Sequence, residues 1–196
     1  MSHPDRRHLE GEAFTGADGE ALELAGAVVS GCRFHGCDLT EASLRGTHLS
    51  ECTFEACELA MADLADALLH WTRFEDCRLT GVRMGELRRD AIGVSATFER
   101  CDLTLASFRD LDLRNCAFLD CQAVEAEFLG CDLSGVDLQG TDLQGAVFRR
   151  DDLSGADLRG ARNYVIPACD NRVAGLRVTL PEALGMLAAL GLELEG

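Results

Sequence analysis

Large apolar residues recur at every fifth position of this chain. From Phe14 the step reads Phe14, Gly19, Leu24, Val29, Phe34, Leu39, Leu44 and Leu49, and it holds through Met84. A second run with the same step begins at Phe98 and ends at Leu158. All the central positions of the two runs except Gly19 and Ala123 carry Leu, Phe, Val or Met, and all nine phenylalanines are among them. Neither a helix, with a period of about 3.6, nor a flat strand, with a period of about 2, produces such a step. The residue two before each centre is small, as at Cys32, Cys37, Ala42, Thr47, Cys52 and Cys57. Each unit therefore offers one large and one small inward side chain, and three mostly polar positions outside. A chain that turns a corner every five residues has this pattern.

The phenylalanines also set the number of units per turn. Phe14, Phe34, Phe54 and Phe74 recur at every fourth unit, as do Phe108, Phe128 and Phe148, and Cys37, Cys57 and Cys77 keep the same spacing. Like residues stack best directly above one another, so four units make one coil of square cross-section. Successive coils then lie about 4.8 Å apart. The two runs join out of phase, because Phe98 stands four places beyond the point where the column of Phe14, Phe34, Phe54 and Phe74 would next fall. Four residues looping out between Met84 and Phe98 restore three columns at once: the phenylalanines through Phe118, the cysteines through Cys121, and the series Cys32, Cys52, Thr72, Ala96, Cys116. A one-residue deletion misaligns all three. A bulged surface loop within Gly85–Ile92 is the expectation.

Units such as Cys131-Asp132-Leu133-Ser134-Gly135 and Ala156-Asp157-Leu158-Arg159-Gly160 resemble the Ala-(Asp/Asn)-Leu-X-X signature of the pentapeptide-repeat family. The resemblance covers about three quarters of the chain and implies an all-β solenoid, a right-handed quadrilateral β-helix. The expected organisation is an N-terminal tail over 1–12, a β-helix over 13–178 with a looser coil at 163–170, and a C-terminal module over 179–196. That module opens on Thr179-Leu180-Pro181-Glu182, a capping box with Pro in the first turn. Leu180, Ala183, Leu184, Leu187 and Leu190 then form one apolar helical stripe, Gly191 ends it, and Leu192 and Leu194 alternate with Glu193 and Glu195. So short a helix needs a surface to pack on.

Composition adds a sign to this rod. Against 34 acidic residues stand 18 basic ones, a formal net charge of -16. Such a surface repels nucleic acid and anionic membranes and favours basic partners. The position before each centre carries many of the acids, among them Asp132, Asp137, Asp142, Asp152 and Asp157. The same Asp also suits the turn and solubility, and the repeat by itself spaces it regularly. No signal peptide or apolar membrane span is legible, so a cytoplasmic address is expected. Nine of the ten cysteines occupy the small inward position, where a thiol acts as a small hydrophobe, and Cys169 alone lies outside it. Their closest spacing is the repeat itself, not a zinc pattern. With scattered histidines and no phosphate loop, nucleophile elbow or dinucleotide fingerprint, neither cofactor, metal nor catalysis is expected.

Two irregularities interrupt the wall. The 85–92 segment holds Glu86, Arg88, Arg89 and Asp90, and Trp71, the only tryptophan, points outward. One coil above Trp71 the sequence count places Ala91, so Trp71 either packs beneath the loop or contacts a partner. The chain resembles the topoisomerase-protecting branch of the family, that of Qnr, MfpA and AlbG. This resemblance implies binding to bacterial DNA gyrase, with topoisomerase IV as a second target, and protection from topoisomerase poisons. The acidic rod would stand in for DNA, whose charge density is of the same order. The C-terminal sequence is similar to that branch's module joining two rods end to end, which implies a homodimer through Leu180, Leu184, Leu187, Leu190, Leu192 and Leu194. A scaffold for some other protein is the rival expectation.

Overall fold

The computed structural model describes residues 6–17, 19–88 and 93–189, the side chains of Glu20, Ala21 and residues 187–189 excepted. The backbone winds as a parallel-strand β-solenoid of about seven turns. Three faces carry regular sheet. A six-stranded sheet contains Ala13–Thr15, Arg33–His35, Thr53–Glu55, Thr72–Glu75, Ala96–Glu99 and Ala117–Leu119. A four-stranded sheet contains His8–Glu10, Val28–Ser30, His48–Ser50 and Leu68–His70. A three-stranded sheet contains Ser107–Arg109, Glu127–Leu129 and Val147–Arg149. Where the units carry Asp before the centre, the chain narrows to single parallel bridges such as Asp38 to Glu58 and Asp132 to Asp152. Corners are made by the residue two after each centre, which takes a left-handed φ, as at Gly36 (59°), Glu41 (55°) and Trp71 (49°).

The registers confirm the coil length and the interruption. Phe14 pairs with Phe34, Phe34 with Phe54 and Phe54 with Phe74, so that each coil is four units long. Phe74 then pairs with Phe98, four places further on than that step, and the ordinary step resumes between Phe98 and Phe118. The rings follow: Phe14, Phe34, Phe54, Phe74, Phe98 and Phe118 stack at centroid spacings of 4.5–5.1 Å. Phe108, Phe128 and Phe148 form a second stack across the core, at 4.8 and 5.0 Å. Phe118 joins the two, edge-on to Phe108 at 5.4 Å and to Phe128 at 5.9 Å.

The small inward residues have a second task. The thiols of Cys37, Cys57, Cys77, Cys101 and Cys121 donate to the carbonyls of Phe14, Phe34, Phe54, Phe74 and Phe98, one coil below, at 3.3–3.6 Å. The hydroxyl of Thr141 takes the next place, donating to the Phe118 carbonyl at 2.8 Å. All nine repeat cysteines are buried and Cys169 is exposed. Burial pushes the Cys116 thiol up to about 12 and the Cys131 thiol up to about 11. They are thiols at neutral pH, not thiolates, and so pack rather than react.

Three expectations need correcting and one is narrowed. The solenoid begins before residue 13: His8–Glu10 pairs with Val28–Ser30 and Leu9 is buried, because Leu9 already stands in phase one unit before Phe14. The expected segment Gly85–Ile92 is narrowed rather than overturned, because the departure from the coil starts later than residue 85. Met84–Glu86 is a 3-10 turn, and the Arg88 N–H still meets the Ala67 carbonyl at 2.9 Å in the ordinary coil pattern. Gly85 lets this turn lie against the next coil, since a Cβ there would stand 2.8 Å from the Arg109 Cβ. The capping box does not form. The Thr179 hydroxyl accepts the Gly160 N–H at 3.3 Å instead, and the C-terminal helix starts at Ala183 and runs to Ala189. Finally, the stretch after Leu158 is less loose than its phase suggests, because Tyr164 and Ile166 are both buried in the core. An additional helical turn, Gly19–Leu22, replaces a strand where Gly19 sits at a central position with the Ala42 Cβ only 2.7 Å from any added Cβ.

Candidate partner-binding surface

The five aspartates singled out in the sequence do not form one surface. Asp132 and Asp152 bridge on one face, Asp137 and Asp157 on the next, and Asp142 lies on a third. Each accepts the backbone N–H two residues on, at Ser134, Gln139, Gln144, Ser154 and Arg159, at 3.0–3.2 Å. This is an Asx turn, and it explains why Asp recurs before the centre: its side chain closes the corner that the backbone is about to make. The remaining oxygens face arginines. Arg162, Arg172 and Arg177 sit one coil above Asp142, Asp152 and Asp157, at 3.3, 3.3 and 3.0 Å, and Arg114 reaches Asp132 at 3.3 Å. Asp137 is met by the Gln139 amide at 2.9 Å. Hydrogen bonds from Asn163 to Asp142, from Ser154 to Asp152 and from Arg159 to Asp157 hold these carboxyls below the usual range.

A different set of acids stands on flat sheet with no turn to close. On the six-stranded face Glu75 and Glu99 lie over one another with Asp76 at the adjoining corner. Arg73 meets Glu75 at 3.2 Å and Glu99 at 2.5 Å, and Arg100 meets Glu75 at 2.5 Å, Asp76 at 2.8 Å and also Glu99. Exposed pairs of this kind add little stability. They do fix an ordered array of both signs in the middle of the rod.

Trp71 lies beside this array and is 62% exposed. The residue above it is Ser95 and not Ala91: the Thr72 N–H meets the Ser95 carbonyl at 3.1 Å, because the added residues lie after Arg88. Ala91, Arg89 and Asp90 fall outside the described residues. A shallow groove at Trp71 is lined by Thr72, Arg73, Ser95, Thr97 and Asn115, and the His70 ring stands edge-on at 6.0 Å. Glu86 and Arg88 are on the neighbouring faces, Glu86 paired to Arg83 at 3.4 Å. At the other end, Leu180 is 74% and Leu184 41% exposed. The Leu187 side chain and Leu190, Leu192 and Leu194 lie outside the described residues.

One residue was missed in the sequence. Asp151 occupies a small inward position, two before Leu153, and is buried. Its carboxylate accepts the N–H groups of Cys131 at 2.7 Å and Arg149 at 2.9 Å, while Asn171 accepts the Asp151 N–H at 3.0 Å. Burial pushes the carboxyl up to about 6, against the pull of those N–H groups and of the Arg150 charge. Register alone could have found it; the run Arg149-Arg150-Asp151-Asp152 reads as surface and hid it. A raised carboxyl favours the protonated form in the folded state. Its contribution is therefore full below about pH 4 and lost as the pH rises through about 6. Asp151→Asn should gain on the wild type by on the order of 2 kcal/mol between those limits. Melting temperatures of both proteins across that range test this, and parallel curves would refute it.

Among the described residues no helix is long and apolar enough to cross a membrane, and no group of three or more His, Cys, Asp or Glu could hold a metal ion. A family profile described as "Pentapeptide repeat region" matches residues 28–88 and 94–162. The chain belongs to the pentapeptide-repeat family. The profile breaks at the same place as the register. Among solved pentapeptide-repeat structures, two trypsin-treated forms of QnrB1, a plasmid-mediated fluoroquinolone resistance protein, superpose with a TM-score of 0.63 at 20% identity, covering 97% of this chain and 98% of theirs. Full-length QnrB1 aligns at 0.42 and 17% identity, over 94% of this chain and all of that one. HetL of the cyanobacterium Nostoc, involved in heterocyst differentiation regulation, aligns at 0.41 and 20% identity, over 88% and 85% of the two chains. No curated protein matches the sequence.

Proposed function

We propose that this chain is a cytoplasmic, non-enzymatic protein that binds bacterial DNA gyrase as an acidic DNA-mimicking rod and protects it from topoisomerase poisons. Topoisomerase IV is the second enzyme it would bind. The observation that carries the reading is a net charge of -16 on a rod whose fold matches QnrB1 over nearly its whole length. About seven coils at about 4.8 Å give a rod of about 35 Å. Duplex DNA of that length carries roughly 20 phosphate charges. The rod can thus present a basic DNA-binding saddle with a comparable field, and it repels nucleic acid itself. Trp71, Glu86, Arg88, Arg89 and Asp90 would add contacts at the middle of the rod. Leu180, Leu184, Leu187, Leu190, Leu192 and Leu194 would join two copies end to end.

A second reading has its own support. The five aspartates close their own turns, and four of them face arginines, which suits a scaffold that binds another protein and leaves topoisomerases alone. Supercoiling by purified gyrase separates the two. The gyrase reading expects the protein either to inhibit supercoiling or to restore it in the presence of a quinolone. Supercoiling unchanged by the protein, with and without the drug, leaves the scaffold.

A further inference from the structure

One corner of the solenoid is unlike the others. The residues two after the centres on the face of Leu39, Leu59 and Leu79 form the column Glu41, Met61, Gly81, Leu105, Glu125 and Gly145. Each corner N–H meets the carbonyl that precedes the next corner, Glu41 to Ala60, Met61 to Thr80, Gly81 to Thr104, Leu105 to Val124 and Glu125 to Gln144, at 2.8–3.0 Å. All six have left-handed φ, 54–70°. That conformation favours Gly and disfavours residues with a Cβ. Yet Met61 is 63% and Leu105 55% exposed.

The glycine between them makes one strip of the two. A Cβ on Gly81 would lie 2.5 Å from the Met61 Sδ, so the Met61 side chain lies across Gly81 toward Leu105. The positions just before these corners are Ala60, Thr80, Thr104 and Val124, none of them charged, in a chain whose residues are 27% charged. A carboxylate, Glu41 or Glu125, stands at either end. The corner lies half a coil from Trp71, diagonally across the square section, so the two exposed apolar sites are separate.

We propose that the Met61–Gly81–Leu105 corner docks an apolar side chain of the partner protein, with Glu41 and Glu125 receiving Lys or Arg on either side of it. Charge selects this occupant. A second copy would bring the same net charge of -16 and set Glu41 and Glu125 against their own kind, and an anionic membrane is repelled in the same way. Methionine is suited to the task because its unbranched, polarizable side chain adapts to the surface it meets. Glycine would serve the left-handed corner at least as well, so the turn itself does not call for these two apolar side chains.

The inference rests on the gyrase reading, and the experiment separates the two. Binding of wild type and of the double variant Met61→Gly/Leu105→Gly to purified gyrase is measured at equal salt, with melting temperatures recorded for both. Glycine suits the left-handed corner, so the variant should melt at or above the wild-type temperature and bind at least about tenfold more weakly. A variant that binds within about twofold of wild type overturns the docking corner and leaves the gyrase reading standing. A wild type that does not bind gyrase overturns both. Met61→Asn/Leu105→Asn, which also tolerates left-handed φ, repeats the measurement should the glycine pair lose structure.

Discussion

Phe118→Ala should lower the stability of the rod by about 4 kcal/mol, more than the same change at the first ring of its stack. Phe118 is the one ring of the first stack that meets the second, packed on Phe98 at 5.1 Å and edge-on to Phe108 and Phe128. Removing it leaves a cavity in the middle of a core whose neighbours are held by coils above and below. They cannot collapse into it without breaking the strand register. Phe14, in the first turns, is only partly buried and has one stacking partner, Phe34. Phe14→Ala should cost no more than about 2 kcal/mol. Denaturant unfolding of the two variants is the measurement. Equal losses at Phe118 and Phe14 would mean that the core is a uniform column, with no junction at Phe118.

The second large effect concerns the end of the rod. Leu180→Asp with Leu184→Asp should convert the proposed dimer to a monomer, read as a halving of mass in light scattering. Two leucines of 74% and 41% exposure on a terminal module are costly to leave in water, and a second copy of the same patch is the simplest cover. Four buried carboxylates across a twofold axis would cost far more than the apolar contact returns. The substitutions lie outside the repeat region, so the melting of the solenoid should move by no more than a few degrees. A mass that does not change on substitution removes these leucines from any interface.

The five-residue step was legible because a solenoid gives each inward position the same environment in every coil. The structure bears out the square coil of four units, the one coil that is longer by four residues, and the nine buried cysteines, all from the spacing of Phe and Cys. Chain direction at the ends was harder. Thr179, Pro181 and Glu182 spell a helix start, but the Thr179 hydroxyl is claimed by Gly160, a partner 19 residues away that local reading does not see. The candidate site was read least well. Asp132, Asp137, Asp142, Asp152 and Asp157 share a position in the repeat, and a repeat position is distributed over all four faces. Shared phase in sequence is therefore not a shared surface in space. Met61, Leu105 and Asp151 carried the opposite signal, each breaking the rule of its own position.

The one longer coil has a consequence for how the chain folds. Parallel strands usually pair slowly, because their partners are distant along the chain. In this chain the partner of each strand is one coil away, as Phe54 is from Phe74, and only the steps that cross the added residues, such as Phe74 to Phe98 and Arg83 to Ser107, are longer. Every closure is thus nearly the same step, and the extra four residues add only about 0.2 kcal/mol to it. The rod can wind coil upon coil as it leaves the ribosome, its unfinished end serving as the template for the next turn. An insertion in the middle of the rod is then almost invisible to folding speed, and the widened coil is a place where new residues can be tried at little kinetic expense.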